Sequence, residues 1–301
     1  MNKRPFVSVI VNCFNGERYL KEALNSILNQ TYKDWELIFW DNQSSDHSAK
    51  IFNSYKDKRF KYFYAPIHTL LYKARNEAIK KATGEIIAFL DVDDWWSEDK
   101  LEKQIPLFND NKVGLVYSNL YLFYENNKKK EIYKNKILKK GHITLDLLRD
   151  YNIGILTVLI RKVAYNSVSG FNNQYAFSGD FDLIIRLSTK WKIDCKQEPL
   201  ACYRIHSKNF TFINNVNNTI EIKELEKWIL DEKISSDENL KPHLHYINKR
   251  INFLKTMKYI NENKLIKAIK NIIFSPMGFS KIKLILYIIM PKKIVKKFKR
   301  F

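Results

Sequence analysis

The chain has 301 residues, enough for one large α/β domain with an appendage or for two small domains. Its 45% hydrophobic and 14% aromatic residues exclude an intrinsically disordered chain, and its three cysteines, which lack CxxC spacing, argue against a disulfide framework or a zinc site. The net charge of +20 is uneven, because residues 1–100 carry 15 basic and 14 acidic side chains, whereas eleven basic and no acidic residues follow Glu262.

The first ninety residues alternate between strand and helix signals. Continuous apolar runs predict four strands, and apolar residues at helical spacing predict three helices between them. In chain order these elements are Val7–Val11, Glu17–Gln30, Trp35–Trp40, Ser45–Tyr55, Phe60–Tyr64, Thr69–Ala82 and Glu85–Leu90. The pattern indicates an α/β fold with a mostly parallel central sheet covered on both faces. In such sheets, ligands bind beyond the carboxyl ends of the strands.

The rest of the chain is less regular. Two further strands are predicted at Val113–Ser118 and Leu120–Tyr124, and a helix is predicted at Asp180–Trp191. From about Asn217 onward the pattern is helical and increasingly basic. We therefore expect two domains, an α/β domain over residues 1–212 and a helical basic tail over residues 213–301.

Three carboxylates crowd the end of the fourth predicted strand, in the segment FLDVDDWW. Asp91 and Asp93 are separated by one residue, so an extended backbone would point both side chains the same way. Two carboxylates that face one cleft predict a divalent cation, Mg²⁺ or Mn²⁺, and such sites often complete their shell with substrate phosphates. The alternative is a polar turn in which Asp94 or Ser97 caps the next helix, which accounts for one acid but not for three.

Two longer segments carry a family resemblance, namely VSVIVNCFNGERYLKEALNSILNQTYKDWELIFWDNQSSD and KARNEAIKKATGEIIAFLDVDDWW. In order and spacing they resemble the family 2 glycosyltransferases of the type that builds bacterial envelope polysaccharides. The similarity is close over residues 6–120 and looser over 150–210. It implies a GT-A fold, a nucleotide-diphosphate sugar as donor, a divalent metal ion and inversion at the anomeric carbon.

On this resemblance, three residues contact the nucleotide-sugar. Asp41 matches the aspartate that meets the nucleobase, Arg75 the arginine that reaches base or phosphate, and Asp91 the acid that faces ribose and metal. A carboxylate at position 41 suits the imide N–H of uracil, which favours a UDP-sugar. Asn42 and Gln43 depart from the family's DDGSxD pattern, and HTLLY replaces the glycines that usually precede the helix of Arg75.

The resemblance also implies metal ligands and a general base. Asp93 would bind the cation with Asp91 beside it, and His206 in YRIH would approach the metal or the diphosphate. Asp180 in SGDFDLIIRL aligns with the carboxylate that takes the proton of the acceptor hydroxyl, and glycine stands at 179 where the family has glutamate. The alternatives are that Asp180 is only a helix N-cap and that His206 is structural.

The C-terminal segment NIIFSPMGFSKIKLILYIIMPKKIVKKFKRF mixes bulky apolar residues with lysines. Its longest apolar run, Ile282–Met290, is far shorter than the roughly 20 residues that span a bilayer. Basic amphipathic segments of this kind lie in the interface of anionic membranes, so we expect a cytoplasmic protein, peripheral on the inner face of the cytoplasmic membrane. The alternative is a helix packed on the α/β domain. No nucleic-acid partner is expected, because no such binding motif is present.

The sequence therefore predicts a metal-dependent inverting glycosyltransferase with a GT-A domain over residues 1–212. Its acceptor is expected to be a glycan or a lipid-linked hydroxyl in envelope polysaccharide synthesis. A same-fold alternative transfers the sugar to a polyprenyl phosphate. A sugar-phosphate nucleotidyltransferase would show a glycine-rich loop after the first strand, where NCFNGERY has one glycine, and a non-catalytic membrane scaffold would not need the complete set of acids.

Overall fold

The computed structural model describes residues 6–207, 209, 219–238 and 240–273. The chain divides into two compact units between His206 and Ser207. The first unit contains the sheet, and the second is helical in its described part. Residues 274–301, which hold most of the predicted membrane-binding segment, lie outside the described residues.

Nine strands of the described residues form one sheet. They are β1 Val7–Cys13, β2 Trp35–Asp41, β3 Phe60–Tyr64, β4 Ile86–Phe89, β5 Trp95–Trp96, β6 Val113–Tyr124, β7 Lys129–Ile132, β8 Leu159–Arg161 and β9 Lys192–Ile205. Their order is β3-β2-β1-β4-β8-β6-β9-β5, with β7 paired to β6. The first four are parallel neighbours, as predicted, whereas β8 runs antiparallel between β4 and β6.

Helices cover the sheet because their apolar residues recur on one face. In the first unit they are α1 Leu20–Leu28, α2 Ser48–Asn53, α3 Leu71–Ile79, α4 Lys100–Gln104, α5 Thr144–Arg149, α6 Lys162–Ser167 and α7 Gly179–Lys190. Helix α1 buries Leu20, Leu24 and Ile27 in a cluster with the strand residues Val9 and Leu37. Full burial of each such side chain stabilises the fold by about 1.5–3 kcal/mol.

The middle of the chain differs from the prediction. The two strands expected at Val113–Ser118 and Leu120–Tyr124 are one strand, β6, with an irregularity at Asn119. The Asn119 side chain accepts a hydrogen bond from the N–H of Leu120 (2.9 Å) and donates to the carbonyl of Lys134 (2.8 Å), which holds the chain together at this break. Strands β8 and β9 were not predicted, because β8 has three residues and β9 contains Pro199.

The second unit contains four helices in its described residues, α8 Thr219–Leu230, α9 Glu232–Ser235, α10 Leu244–Asn261 and α11 Leu265–Ile273. Arg250 of α10 forms an ion pair with Glu221 of α8 (2.6 Å). Asn271 of α11 donates to the Thr256 hydroxyl of α10 (2.7 Å). Within the described part of the chain, no helix is long and apolar enough to cross a membrane.

A lysine is buried in the first unit, at the start of α4. Lys100 is 0% exposed, donates to Oε1 of Gln104 (2.7 Å) and lies 4.3 Å from the centre of the Trp96 ring. Burial lowers its pKa well below the ordinary value of 10.5. Between these two pKa values the unfolded chain binds the proton and the folded chain does not. The free energy of unfolding should therefore rise with pH in that window, by up to about 1.4 kcal/mol per pH unit.

Replacing Lys100 with methionine should flatten this pH dependence, because the variant has no proton to release at this position. The free energy of unfolding would be measured by urea titration at a series of pH values from neutral to about 10. Lys33→Met, at an exposed lysine, is the matched control and should keep the slope of the parent protein. Parallel profiles for the two variants would contradict a buried neutral amine at position 100.

Candidate active site

Strand β2 ends in a fully buried carboxylate, Asp41, which lies beside Cys13 at the end of β1. Its Oδ1 accepts a hydrogen bond from the N–H of Ser44 (2.7 Å), and its Oδ2 accepts one from the Tyr62 hydroxyl (2.6 Å). Burial and the contact with Asp41 raise the pKa of Tyr62, so this hydroxyl keeps its proton and acts as the donor. The two hydrogen bonds fix the orientation of the Asp41 carboxylate.

The two residues after Asp41 bind the loop that replaces the expected glycines. The Asn42 side chain donates to the Thr69 carbonyl (2.8 Å), and the Asn42 carbonyl lies 2.8 Å from Nδ1 of His68. Gln43 has a φ of +69°, the left-handed region that glycine favours and that costs other residues about 1–2 kcal/mol. Its side chain donates to the Pro66 carbonyl (2.9 Å), which holds it in this conformation.

Helix α3 presents a buried arginine to the end of β4. Arg75 is 2% exposed, and its Nη2 donates to Oδ1 of Asp91 (2.6 Å). Burial alone would lower the pKa of Arg75, but the nearby charge of Asp91, with Tyr72 and Asp180, raises it overall. The guanidinium therefore stays charged, which suits a group that meets an anionic ligand.

Residues 91–94 form a turn and not the extended segment expected from the sequence. The N–H of Asp94 donates to the carbonyl of Asp91 (3.2 Å), so the side chains of Asp91 and Asp93 take different partners. Asp91 pairs with Arg75, whereas Oδ2 of Asp93 lies 3.0 Å from Nε2 of His206. That the two acids face one cation stays a prediction.

Asp94 links the turn to β9 and does not cap the following helix. It is 1% exposed, and its Oδ1 accepts a hydrogen bond from the N–H of Arg204 on β9 (2.8 Å). Burial, followed by the charges of Asp93 and Asp91, raises its pKa well above the ordinary value. The carboxyl group ties the turn to β9.

Asp93 and His206 are the pair that fits a metal ion. Among the described residues no three His, Cys, Asp or Glu side chains form a metal-binding group, so the remaining ligands would come from the diphosphate and water. Oδ2 of Asp93 and Nε2 of His206 are within hydrogen-bond distance of each other, so both could reach one cation. The carboxylate is a ligand that suits Mg²⁺ or Mn²⁺.

Arg204 holds the Asp93 turn in place. Its guanidinium lies 4.5 Å from the ring centres of Tyr19 and Trp95 and forms an ion pair with Glu22 on α1. Its Nε donates to the backbone carbonyl of Asp93 (2.9 Å). Arg204 thus connects α1, through Glu22, to the turn that carries Asp93.

The two tryptophans after the acids have different roles. Trp96 is 3% exposed and donates its indole N–H to the Leu156 carbonyl (2.8 Å), so it packs α4 and the following segment against the sheet. Trp95 is partly exposed and stacks edge-on against Phe123 of β6 (5.4 Å between ring centres).

Asp180 lies in the first turn of α7, where Ser178 and not Asp180 occupies the N-cap position. Its Oδ1 lies 2.7 Å from the Tyr72 hydroxyl of α3. Burial raises its pKa, the charge of Arg75 and the Tyr72 hydroxyl lower it, and the net shift is upward. A partly exposed carboxylate with a raised pKa is suited to accept a proton.

The structure brings Asp180, Arg75 and Asp91 into one electrostatically coupled group and places Asp93 and His206 together. Asp41 lies on the neighbouring strands, at the same carboxyl edge. Tyr72 contacts Asp180 and is a residue of the candidate site that the sequence analysis missed. The signal was present in two departures from the family pattern, the segment HTLLY and the glycine at 179.

The mostly parallel α/β sheet has the GT-A fold. Residues 8–164 match the family described as Glycosyl transferase family 2, and the chain belongs to it. The match includes Asp41, Arg75 and the acids of the turn and ends before Asp180 and His206.

The proteins that this chain resembles differ in the sugar donor or the product that their names give. The chain is 35% identical to the Escherichia coli UDP-Glc:alpha-D-GlcNAc-diphosphoundecaprenol beta-1,3-glucosyltransferase WfgD, over 54% of this chain and 63% of that protein. It is 32% identical to the putative teichuronic acid biosynthesis glycosyltransferase TuaG of Bacillus subtilis, over 54% of this chain and 64% of that protein. The matched part thus spans less than two thirds of these relatives. The mannosyltransferase PcManGT of Pyrobaculum calidifontis, solved with GDP-Man and Mn²⁺, shares the fold (TM-score 0.64, 17% identity, 94% of this chain and 79% of that chain).

Proposed function

We propose that this chain is an inverting glycosyltransferase that moves a sugar from a nucleotide-diphosphate sugar to a hydroxyl of a glycan or lipid-linked acceptor. The observation that carries this proposal is the group formed by Asp180, Arg75 and Asp91. It places a carboxylate able to take a proton beside a buried cation and acid at the carboxyl edge of the sheet.

The reaction needs one base. Asp180 takes the proton of the acceptor hydroxyl as its oxygen attacks the anomeric carbon, and the bond from that carbon to the diphosphate breaks on the opposite side. The configuration inverts because a single displacement occurs. The proton ends on the Asp180 carboxylate and is released to solvent after the product leaves.

The donor is held by the other residues. Asp41 and Arg75 bind the nucleotide side, and Asp91, paired with Arg75, meets the ribose. Asp93 and His206 would hold Mn²⁺ or Mg²⁺, which supplies Lewis-acid stabilisation of the departing diphosphate. Arg204 orients the turn that carries Asp93.

The relatives support a place in bacterial envelope polysaccharide synthesis. WfgD uses UDP-Glc and a diphosphoundecaprenol-linked acceptor, and TuaG is assigned to teichuronic acid biosynthesis. Asp41 also favours uracil, so a UDP-sugar is the donor we propose. PcManGT binds GDP-Man, so the nucleobase of the donor is the first property to test.

The test is a panel of UDP-, GDP-, dTDP- and CMP-sugars with Mn²⁺, read by thermal unfolding. A donor at 100 times its Kd should stabilise the protein by about 2.7 kcal/mol. The donor that does so is then supplied in labelled form with lipid-linked and free saccharide acceptors. A protein whose unfolding temperature responds to no nucleotide-sugar, with or without metal, would not be this enzyme.

We also propose that the basic C-terminal segment, residues 271–301, binds the inner face of the cytoplasmic membrane. Deleting residues 274–301 removes eight basic residues and retains Asn271, which bonds α11 to α10. The deletion variant should no longer co-sediment with anionic liposomes. The full-length variant with Lys292, Lys293, Lys296 and Lys297 changed to glutamine should bind weakly, because each lysine near the surface contributes about 1 kcal/mol. Undiminished binding of both variants would refute this anchor.

A further inference from the structure

Tyr72 makes two contacts with the segment that carries Asp180. It is 3% exposed, and its hydroxyl lies 2.7 Å from Oδ1 of Asp180 and 2.8 Å from the carbonyl of Phe177. Its ring also covers the backbone of Gly179, because a Cβ built at that position would lie 2.5 Å from the ring. A tyrosine on α3 thus touches the residue before the base and the base itself.

The hydroxyl has one hydrogen and two acceptors within reach. Burial raises the pKa of Tyr72 well above its ordinary value, so the hydroxyl keeps this hydrogen. An ionised Asp180 is the stronger acceptor, and the hydroxyl then donates to its Oδ1. Once Asp180 is protonated, the hydroxyl can turn to the carbonyl of Phe177. Which of the two acceptors the Tyr72 hydroxyl bonds to therefore depends on the protonation state of Asp180.

We propose that Tyr72 is the positioning residue for Asp180, and that Gly179 is glycine because the Tyr72 ring occupies the space of a side chain there. The proposal rests on the proposed function, in which Asp180 is the general base. Tyr72 fixes Oδ1, so Oδ2 is the oxygen that receives the proton of the acceptor hydroxyl. Tyr72 itself neither gains nor loses a proton in the transfer.

The Tyr72 ring and any side chain at position 179 would occupy the same space. Carbon atoms in contact lie about 3.5–4.0 Å apart, so a methyl group at 179 cannot coexist with the ring, because its carbon would lie only 2.5 Å from the present position of the ring. The ring also packs against Phe171, at 5.2 Å between ring centres. A side chain at 179 would have to displace the hydroxyl from Asp180.

Tyr72→Phe tests the hydrogen bond, because it keeps the ring and removes the hydroxyl. The kcat of transfer should fall about 10- to 100-fold, whereas the KM of the donor should change little. The groups facing Asp180 are Tyr72 and Arg75 from α3 and Asp91 after β4. Since a hydrogen bond to the ionised form lowers a pKa, its loss should move the acid limb of the kcat profile to higher pH.

Tyr117→Phe is the matched control, since it removes another buried tyrosine hydroxyl, one that donates to the Lys139 carbonyl (2.7 Å) outside the site. It should leave the acid limb where it is in the parent. An unchanged kcat and acid limb in Tyr72→Phe, with Asp180→Asn inactive, would overturn the positioning role and leave the proposed function standing. Full activity of Asp180→Asn would instead overturn the base assignment, and the proposal with it.

The steric pairing is tested by thermal unfolding, independently of activity. Gly179→Ala should lower the unfolding temperature in the parent and have a much smaller effect in a Tyr72→Ala background, where the ring is gone. Equal effects in both backgrounds would overturn the pairing.

Discussion

Replacing Asp180 with asparagine should lower the rate constant of sugar transfer by a factor of about 10²–10⁴, because the amide cannot accept the proton of the acceptor hydroxyl. The substitution keeps the shape of the side chain and an oxygen that can accept the hydrogen bond of Tyr72. Donor affinity, measured by calorimetric titration, should stay close to that of the parent protein. The loss would therefore lie in the chemical step and not in binding.

The pH dependence gives a second signature of the base. Burial raises the pKa of Asp180 above its ordinary value of 3.8, and the ionised form is the active one. The rate of the parent protein should rise with pH through this raised pKa, whereas the residual rate of Asp180→Asn should lack that limb. Asp110→Asn, the same change at an exposed acid outside the site, should behave as the parent.

Near-parental turnover of Asp180→Asn would remove Asp180 as the base. It would also favour the polyprenyl-phosphate alternative, because a phosphate oxygen is already ionised at neutral pH and can attack without a general base. The two acceptor classes are thus separated by one variant, assayed with a lipid phosphate and with a sugar hydroxyl.

Replacing Asp93 with alanine should abolish the dependence of donor binding on Mn²⁺. His206 would lose its partner at 3.0 Å, and the cation would lose a direct carboxylate ligand. Even changes to groups that only orient a metal ligand weaken a site 10- to 100-fold, so the loss of a direct ligand should weaken donor binding in Mn²⁺ by at least about that factor. The measurement is donor affinity with Mn²⁺ and with a chelator.

Asp99→Ala provides the control for this experiment, because it removes a partly exposed acid six residues further along that pairs with Lys103. It should retain the difference between the Mn²⁺ and chelator conditions. If Asp93→Ala retained that difference as well, the ligand assignment would be wrong and Asp93 would serve only to hold His206.

The parallel half of the sheet could be predicted because β1, β2 and β4 are buried almost throughout and are mostly apolar, and because helical patterns alternate with them. That pattern also placed Asp41 and Asp91 at strand ends, where ligands bind in such sheets. The other half could not be read in the same way. Strand β9 keeps its place by pairing with β6 over residues as different as Asp194 and Arg204, so tertiary pairing and not local pattern decides it.

The contacts that shape the candidate site could not be predicted from the sequence either, because they depend on the conformation of a turn and on residues far apart in the chain. Whether Asp91 and Asp93 share a cation depends on a turn closed by one backbone hydrogen bond, and two acids spaced i, i+2 are compatible with either conformation. Tyr72 meets Asp180 across 108 positions of the chain. Contacts of this range leave no periodic trace, and only the two departures from the family pattern, HTLLY and the glycine at 179, pointed to them.

Strand β8 has a consequence for how the chain is made on the ribosome. Ala88 of β4 pairs with Leu159, so the open edge of β4 waits for 71 further residues, roughly 4–14 seconds at 5–20 residues per second. Strand β6 emerges earlier than β8, yet in the finished sheet β8 lies between it and β4. The edges of β4 and β6 that face β8 in the finished sheet therefore have no partner until β8 has been synthesised. A translation pause shortly before Leu159 would prolong the interval in which β4 and β6 can pair wrongly.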